Sequence, residues 1–192
     1  KAVFGSSASR VRPVLAYQYA NPDRTRNQLE YLNRVRGGAR GQLYALAVAP
    51  YINLGYNTST WESLDVPGLS VDSVLGLLGD DITRFEESPE FPTWVSMAAN
   101  NGLKLTAYEG GPDTFGGNNV DAKTSATLDS RMQALVERYL RVWYARGGGQ
   151  FNWYTLGADP YGHPFGTWSI SNSITRTDSP KSLGFLNIRN GN

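Results

Sequence analysis

Residues 43–49 read Leu-Tyr-Ala-Leu-Ala-Val-Ala, without a charge among them, and Pro50-Tyr51-Ile52-Asn53 close the run. A continuous apolar stretch of strand length that stops at a proline turn has the pattern of a strand buried on both faces. Such strands belong to parallel sheets covered by helices. The segments on either side carry the same message.

Upstream, Arg-Val-Arg-Pro-Val-Leu-Ala-Tyr-Gln predicts a strand over residues 11–18, with Pro13 near its start, where a missing N–H is tolerated. Asn21-Pro22-Asp23 then opens a helix with a cap, a proline for the first turn and an acid at the positive end of the dipole. Leu29, Leu32 and Val35 share a face, and Gly37-Gly38 stop it. After residues 43–49 a loop runs to about Gly68, followed by a helical stretch marked by Val71, Val74, Leu75 and Leu78 and a second helical piece over residues 93–100. Residues 103–109 predict a third strand, because Leu103, Leu105 and Ala107 alternate and Gly110-Gly111-Pro112 end any regular structure. A Gly- and Asn-rich loop over residues 110–124 precedes an amphipathic helix marked by Leu128, Met132, Leu135, Val136, Tyr139 and Leu140. Residues 151–156 predict a fourth strand, residues 157–179 a long loop, and residues 179–189 a closing helix weakened by Gly184.

Strands alternating with helices imply an α/β fold with parallel strands and right-handed crossovers. With 192 residues the chain suits a single domain over 1–192. Four strand–helix units are half of an eightfold barrel, which takes about 250 residues. An open doubly wound sheet is the alternative at this length, but long loops after every strand fit a barrel better.

Several chemistries are excluded by composition. The chain has 0 Cys and 1 His, so thiolate catalysis, disulfides and a Cys- or His-based metal centre have no ligands, and no metal or organic cofactor is expected. A net charge of +1 from 18 basic and 17 acidic residues points to no nucleic-acid partner. No apolar stretch approaches the roughly 20 residues of a membrane span. Carboxylates remain as acid–base groups, and Glu109 stands at a predicted strand tip, where parallel α/β folds carry their sites. The 5 Trp and 11 Tyr suit a surface that grips something flat and partly polar, although most individual rings are expected in packing.

Arg12-Pro13-Val14-Leu15-Ala16-Tyr17-Gln18, Ala49-Pro50-Tyr51 and Ala107-Tyr108-Glu109-Gly110-Gly111 together resemble the C-terminal half of a clan A glycoside hydrolase-like (β/α)8 barrel. In particular the chain resembles bacterial polysaccharide-associated proteins with a Tyr-Glu-Gly-Gly turn. The resemblance covers residues 11–168. It implies that the strands are the fifth to the eighth, that Glu109 is the seventh-strand nucleophile, and that the protein is secreted to an extracellular or periplasmic space. Such enzymes take their acid/base from a Glu after Asn at the end of the fourth strand, and no segment here matches it. By the resemblance that residue, with the N-terminal half of the barrel, lies upstream of Lys1 or on a separate chain.

Glycoside cleavage needs two carboxylates. Beside Glu109 the loop acids Glu62, Asp65, Asp113 and Asp159 are the candidates within the chain. Asp113 reads first as a turn cap; Glu62 stands beside Trp61, and an aromatic neighbour suits a general acid. For the substrate, Gln18, Tyr51, Asn53, Trp61, Trp153 and Trp168 are the expected contacts, rings for the C–H faces of sugars and amides for hydroxyls. Tyr17 and Tyr108 are expected in packing. His163 could bond a hydroxyl. The expected function is therefore a glycoside hydrolase acting on poly- or oligosaccharide. The alternatives are a non-catalytic carbohydrate-binding protein and a half-barrel subunit that needs a partner.

Overall fold

In the computed structural model, which describes residues 3–57, 59–157 and 161–191, the apolar run forms the middle of a parallel sheet. The described strands are β1 (Val14–Ala16), β2 (Ala45–Val48), β3 (Ile52–Asn53), β4 (Lys104–Ala107) and β5 (Pro112–Asp113). β1, β2 and β4 lie side by side in that order, with Leu15, Leu46 and Leu105 in one cross-strand row. On the far side of β4, Ala107 makes a parallel bridge to Phe151. Neighbours across the sheet therefore follow chain order without the reversal of a doubly wound sheet. β3 and β5 form a second parallel pair just beyond the ends of β2 and β4. The fold is α/β with parallel strands.

The helices are α1 (Pro22–Val35), α2 (Val71–Glu87), α3 (Glu90–Asn100), α4 (Val120–Leu128), α5 (Arg131–Ala145) and α6 (Pro180–Arg189). Period-2 alternation divides the sheet residues between its faces. Leu46, Val48, Leu105 and Ala107 join Leu29, Leu78, Ile82, Trp94 and Leu140 in one core. The centre of that core is aromatic. Phe91 and Trp143 lie 5.2 Å apart and nearly parallel, and Tyr139 meets Phe151 edge-on at 5.6 Å. Tyr19 also turns to this side: it caps Phe85 at 5.6 Å, and burial pushes its hydroxyl pKa up to about 12.

Several expected boundaries move. The first strand shrinks from residues 11–18 to β1, because only this stretch pairs with β2. The third ends at Ala107, so Glu109 lies in the following turn, two residues past the strand. The fourth strand reduces to the Phe151 bridge, since Asn152 donates both its backbone N–H and its side-chain amide to the Ala107 carbonyl. The helix expected through Leu128 and Met132 is two helices, because Asp129 turns its carboxylate back to the Arg131 N–H at 2.9 Å and Leu128 is left half exposed. Of the predicted helical pieces before residue 100, the first starts at Val71 as expected and runs on to Glu87 as α2, and the second starts three residues earlier, at Glu90, and ends at Asn100 as α3.

Gly184, which weakens the closing helix by propensity, has a packing reason. A Cβ there would stand 2.8 Å from the Gln133 carbonyl and 3.0 Å from Val136, so only glycine lets α6 lie this close to α5.

Candidate active site

The turn after β4 is bonded on every side. Tyr108 N–H donates to the Val48 carbonyl at 3.0 Å, Ile52 N–H to Gly111 at 3.2 Å and Tyr154 N–H to Gly110 at 3.1 Å. Both glycines are dictated by what lies beneath. A Cβ on Gly110 would fall 2.6 Å from the Phe151 ring; Gly111 has φ +135 and packs on the Trp153 indole, where a Cβ would approach to 3.0 Å. Tyr-Glu-Gly-Gly is thus a close-packed platform, and Glu109 rises from it.

Glu109 is half-buried, and its carboxylate takes no hydrogen bond or ion pair among the described residues. Its neighbour is Tyr51, on the turn after β2. Burial raises the Tyr51 hydroxyl pKa, and the charges of Glu109 and Asp113 raise it further, with Tyr154 and Tyr108 adding smaller effects. Tyr108 is raised by burial and then by Glu109. Two carboxylates and three phenols therefore share one neighbourhood at the carboxyl ends of the parallel strands. With their pKa raised, the Tyr51 and Tyr108 hydroxyls stay protonated at neutral pH and serve as donors.

Asp113 closes its own turn, as expected: Oδ1 accepts the Phe115 N–H at 2.9 Å. The same oxygen also accepts the Trp168 indole N–H at 2.8 Å, while Oδ2 accepts nothing among the described residues. Trp168 in turn takes the Trp153 indole N–H on its carbonyl at 2.9 Å. Trp153 and Trp168 are thereby joined to each other and to the Glu109 turn. Trp153 works from beneath, its ring set between Gly111 and the edge of Phe185.

The other expected contacts are scattered. Gln18 is exposed beyond β1, on the far side of β2 from Glu109. Asn53 donates its backbone N–H to Asp81 at 2.7 Å and accepts Gly55 N–H on its side chain at 2.7 Å, leaving its amide NH2 available. Trp61 is 79% exposed in the loop after β3 and makes no ring contact among the described residues. Glu62, in the same loop, is exposed and accepts the Thr60 hydroxyl at 2.9 Å. His163 accepts the Phe165 N–H at 3.2 Å. Asp159 lies outside the described residues.

Asp65 proves to be a clamp. Its carboxylate meets the buried Lys123 ammonium at 2.6 Å and accepts the Asn119 amide at 2.8 Å. The side-chain oxygen of Asn119, Oδ1, accepts Gly68 N–H at 2.8 Å and Leu69 N–H at 2.9 Å. Asn119 has φ 53, a conformation that asparagine tolerates. The loops after β3 and β5 are locked together in this way. Sequence reasoning missed Lys123 here, and it missed Phe115 and Tyr56 as exposed rings; an aromatic inside a Gly- and Asn-rich loop was the available signal for Phe115.

Among the described residues no helix is long and apolar enough to cross a membrane. Compared with known proteins, the chain matches no family model, no curated protein and no solved structure.

Proposed function

We propose that this chain is a carbohydrate-active protein, a glycoside hydrolase that cleaves poly- or oligosaccharide with a carboxylate pair of which Glu109 is the nucleophile. The observation that carries the reading is the Glu109 carboxylate, held on a close-packed turn without a protein partner among the described residues, beside the Tyr51 hydroxyl. A carboxylate kept unoccupied at the carboxyl ends of parallel strands is available to a reacting centre. Chain-order strand neighbours support a sector of a (β/α)8 barrel over a doubly wound sheet. The setting proposed with this activity is a secreted one, extracellular or periplasmic.

In a retaining reaction Glu109 attacks the anomeric carbon, the bond to the leaving oxygen breaks, and a general acid protonates that oxygen; water then releases the sugar from Glu109. Tyr51 would donate a hydrogen bond to the nucleophile or to a ring substituent. Exposed Tyr108 and Tyr154 would line the approach.

A second reading is favoured by Asp113. Its Oδ1 is committed to two N–H donors, an arrangement suited to an acceptor and not to a proton donor. On this reading the acid comes from an upstream barrel half or a separate chain, or the protein binds glycan without cleaving it. Hydrolysis of a panel of aryl glycosides and polysaccharides separates these readings. It is measured for the chain alone, for the chain with any upstream region restored, and for Glu109→Gln. Activity lost in Glu109→Gln supports the nucleophile, and activity unchanged by it overturns that role. Activity appearing only with the upstream region supports the shared site.

A further inference from the structure

Next to the Glu109 cluster lies a cavity of about 110 Å³, bounded by Asn53, Tyr56, Ser63, Asp65, Asp113 and Phe115. Its walls divide by chemistry. Asp113 Oδ2 and the Asn53 amide NH2 supply an acceptor and a donor without protein partners among the described residues. Tyr56 and Phe115 supply ring surface, and Phe115 is 60% exposed. Phe115 is also the middle of three near-parallel rings: Trp168 lies 6.3 Å away at 4° and Phe165 6.4 Å away at 12°. Hydroxyl-bonding groups and flat apolar rings lining one small cavity match the two kinds of surface that a pyranose ring presents.

Charge narrows the ligand. Two cations at this end are matched, Lys123 to Asp65 at 2.6 Å and Arg84 to Asp81 at 2.8 Å, and buried Lys181 donates to the Thr167 carbonyl. Glu109 and Asp113 have no cationic partner among the described residues. The cavity and its neighbour are therefore net anionic, and a carboxylate or sulfate on the ligand would meet like charge in a partly desolvated place.

We propose that this cavity is a subsite for one ring of an uncharged or amino-bearing glycan, and that it discriminates against uronate and sulfated units. The proposal rests on the carbohydrate reading above, and it names the class of sugar that reading leaves open. Phe115 and Tyr56 stack the ring, Asn53 and Asp113 take its hydroxyls, and the Asp65–Lys123 pair holds the loop that forms one wall.

Calorimetric titration of the intact chain tests it. The probes are neutral hexasaccharides of glucose, mannose, galactose and xylose, a glucosamine oligomer and a polyuronate oligomer of the same length. A neutral or glucosamine oligomer is expected to bind, the polyuronate at least about tenfold more weakly. Phe115→Ala is expected to weaken binding about tenfold and to lower the melting temperature by no more than a few degrees, since the ring is exposed and its lost contacts are those with Trp168 and Phe165. Asp113→Asn is expected to narrow the difference between neutral and uronate oligomers. Polyuronate bound as tightly as the neutral oligomer by the unaltered chain overturns the charge selection. If a glycan binds and both variants bind it as the parent does, the subsite falls while the carbohydrate reading stands. If no oligomer binds the parent, both fall.

Discussion

The indole N–H of Trp168 donates to Asp113 Oδ1 at 2.8 Å, joining two loops that are 55 residues apart in sequence. Trp168→Phe keeps a ring parallel to Phe115 and removes the donor, leaving Asp113 with the Phe115 N–H alone. A hydrogen bond to an ionised group contributes roughly 1.5 to 3 kcal/mol. A loss at the low end of that range is expected in urea denaturation, because the pair is only part-buried, together with weaker glycan binding. Unchanged stability would show that the loops are held by other contacts.

Glu109→Gln should alter the ionisation of Tyr51. Burial is the larger cause of the raised pKa, and the Glu109 charge is the next. Removing a negative charge makes tyrosinate easier to form, so the Tyr51 pKa falls while staying above its ordinary value. Spectrophotometric titration of tyrosinate in the parent and in Glu109→Gln, each with and without Tyr51→Phe, isolates the change from that at Tyr108. Identical Tyr51 titrations in the two backgrounds would break the link between these side chains.

Lys181 predicts a pH dependence of stability. It is fully buried, its ammonium donates to the Thr167 carbonyl and lies 4.9 Å from the Tyr161 ring centre, and burial lowers its pKa to about 7. In the unfolded chain it titrates near the ordinary lysine value of about 10.4. Between those values the unfolded state binds the extra proton, so the contribution of Lys181 to stability rises with pH across the window and is least favourable below about 7. Lys181→Met should flatten this slope, with its largest relative gain on the acidic side. Urea midpoints of both proteins across the window read it directly; parallel curves would refute it.

Two helical glycines should respond to alanine with opposite sign. Gly76 in α2 is exposed, and a Cβ there meets nothing within 4 Å. Gly76→Ala is expected to stabilise by about 0.5 to 1 kcal/mol. Gly184→Ala drives a methyl against the Gln133 carbonyl and Val136, and should cost about 1 to 3 kcal/mol despite the better helix propensity. Thermal melts of the pair decide whether propensity or packing governs each site.

Asp65→Asn strands a buried ammonium, since Lys123 is 2% exposed and among the described residues keeps only the Gly116 carbonyl, at 3.2 Å. Breaking one side of a buried pair costs roughly 3 to 5 kcal/mol. Lys123→Met added to Asp65→Asn should recover part of that loss, and the double-mutant cycle measures how much belongs to the pair.

Periodicity and punctuation marked the larger elements because their physics is local. The apolar run at β2, the Pro22 start of α1 and the glycine stops each act within a few residues. Elements decided by distant partners were not legible. Whether residues 151–156 extend as a strand depends on Asn152 donating to Ala107, and the break between α4 and α5 depends on where Asp129 turns. At the site, the Tyr-Glu-Gly-Gly turn could be read as a platform for Glu109, but the ring beneath each glycine could not. The Lys123–Asp65 pair spans 58 residues, from a loop to α4, and left no local pattern at either end.

The Phe185 edge rests on Trp153 at 6.2 Å, and Trp153 is the floor under Gly111. The turn bearing Glu109 is therefore seated on a helix of 10 residues near the far end of the chain. The seat under Glu109 therefore depends on how closely α6 packs on α5, an approach that Gly184 permits, so a change between these two helices reaches the carboxylate through Trp153.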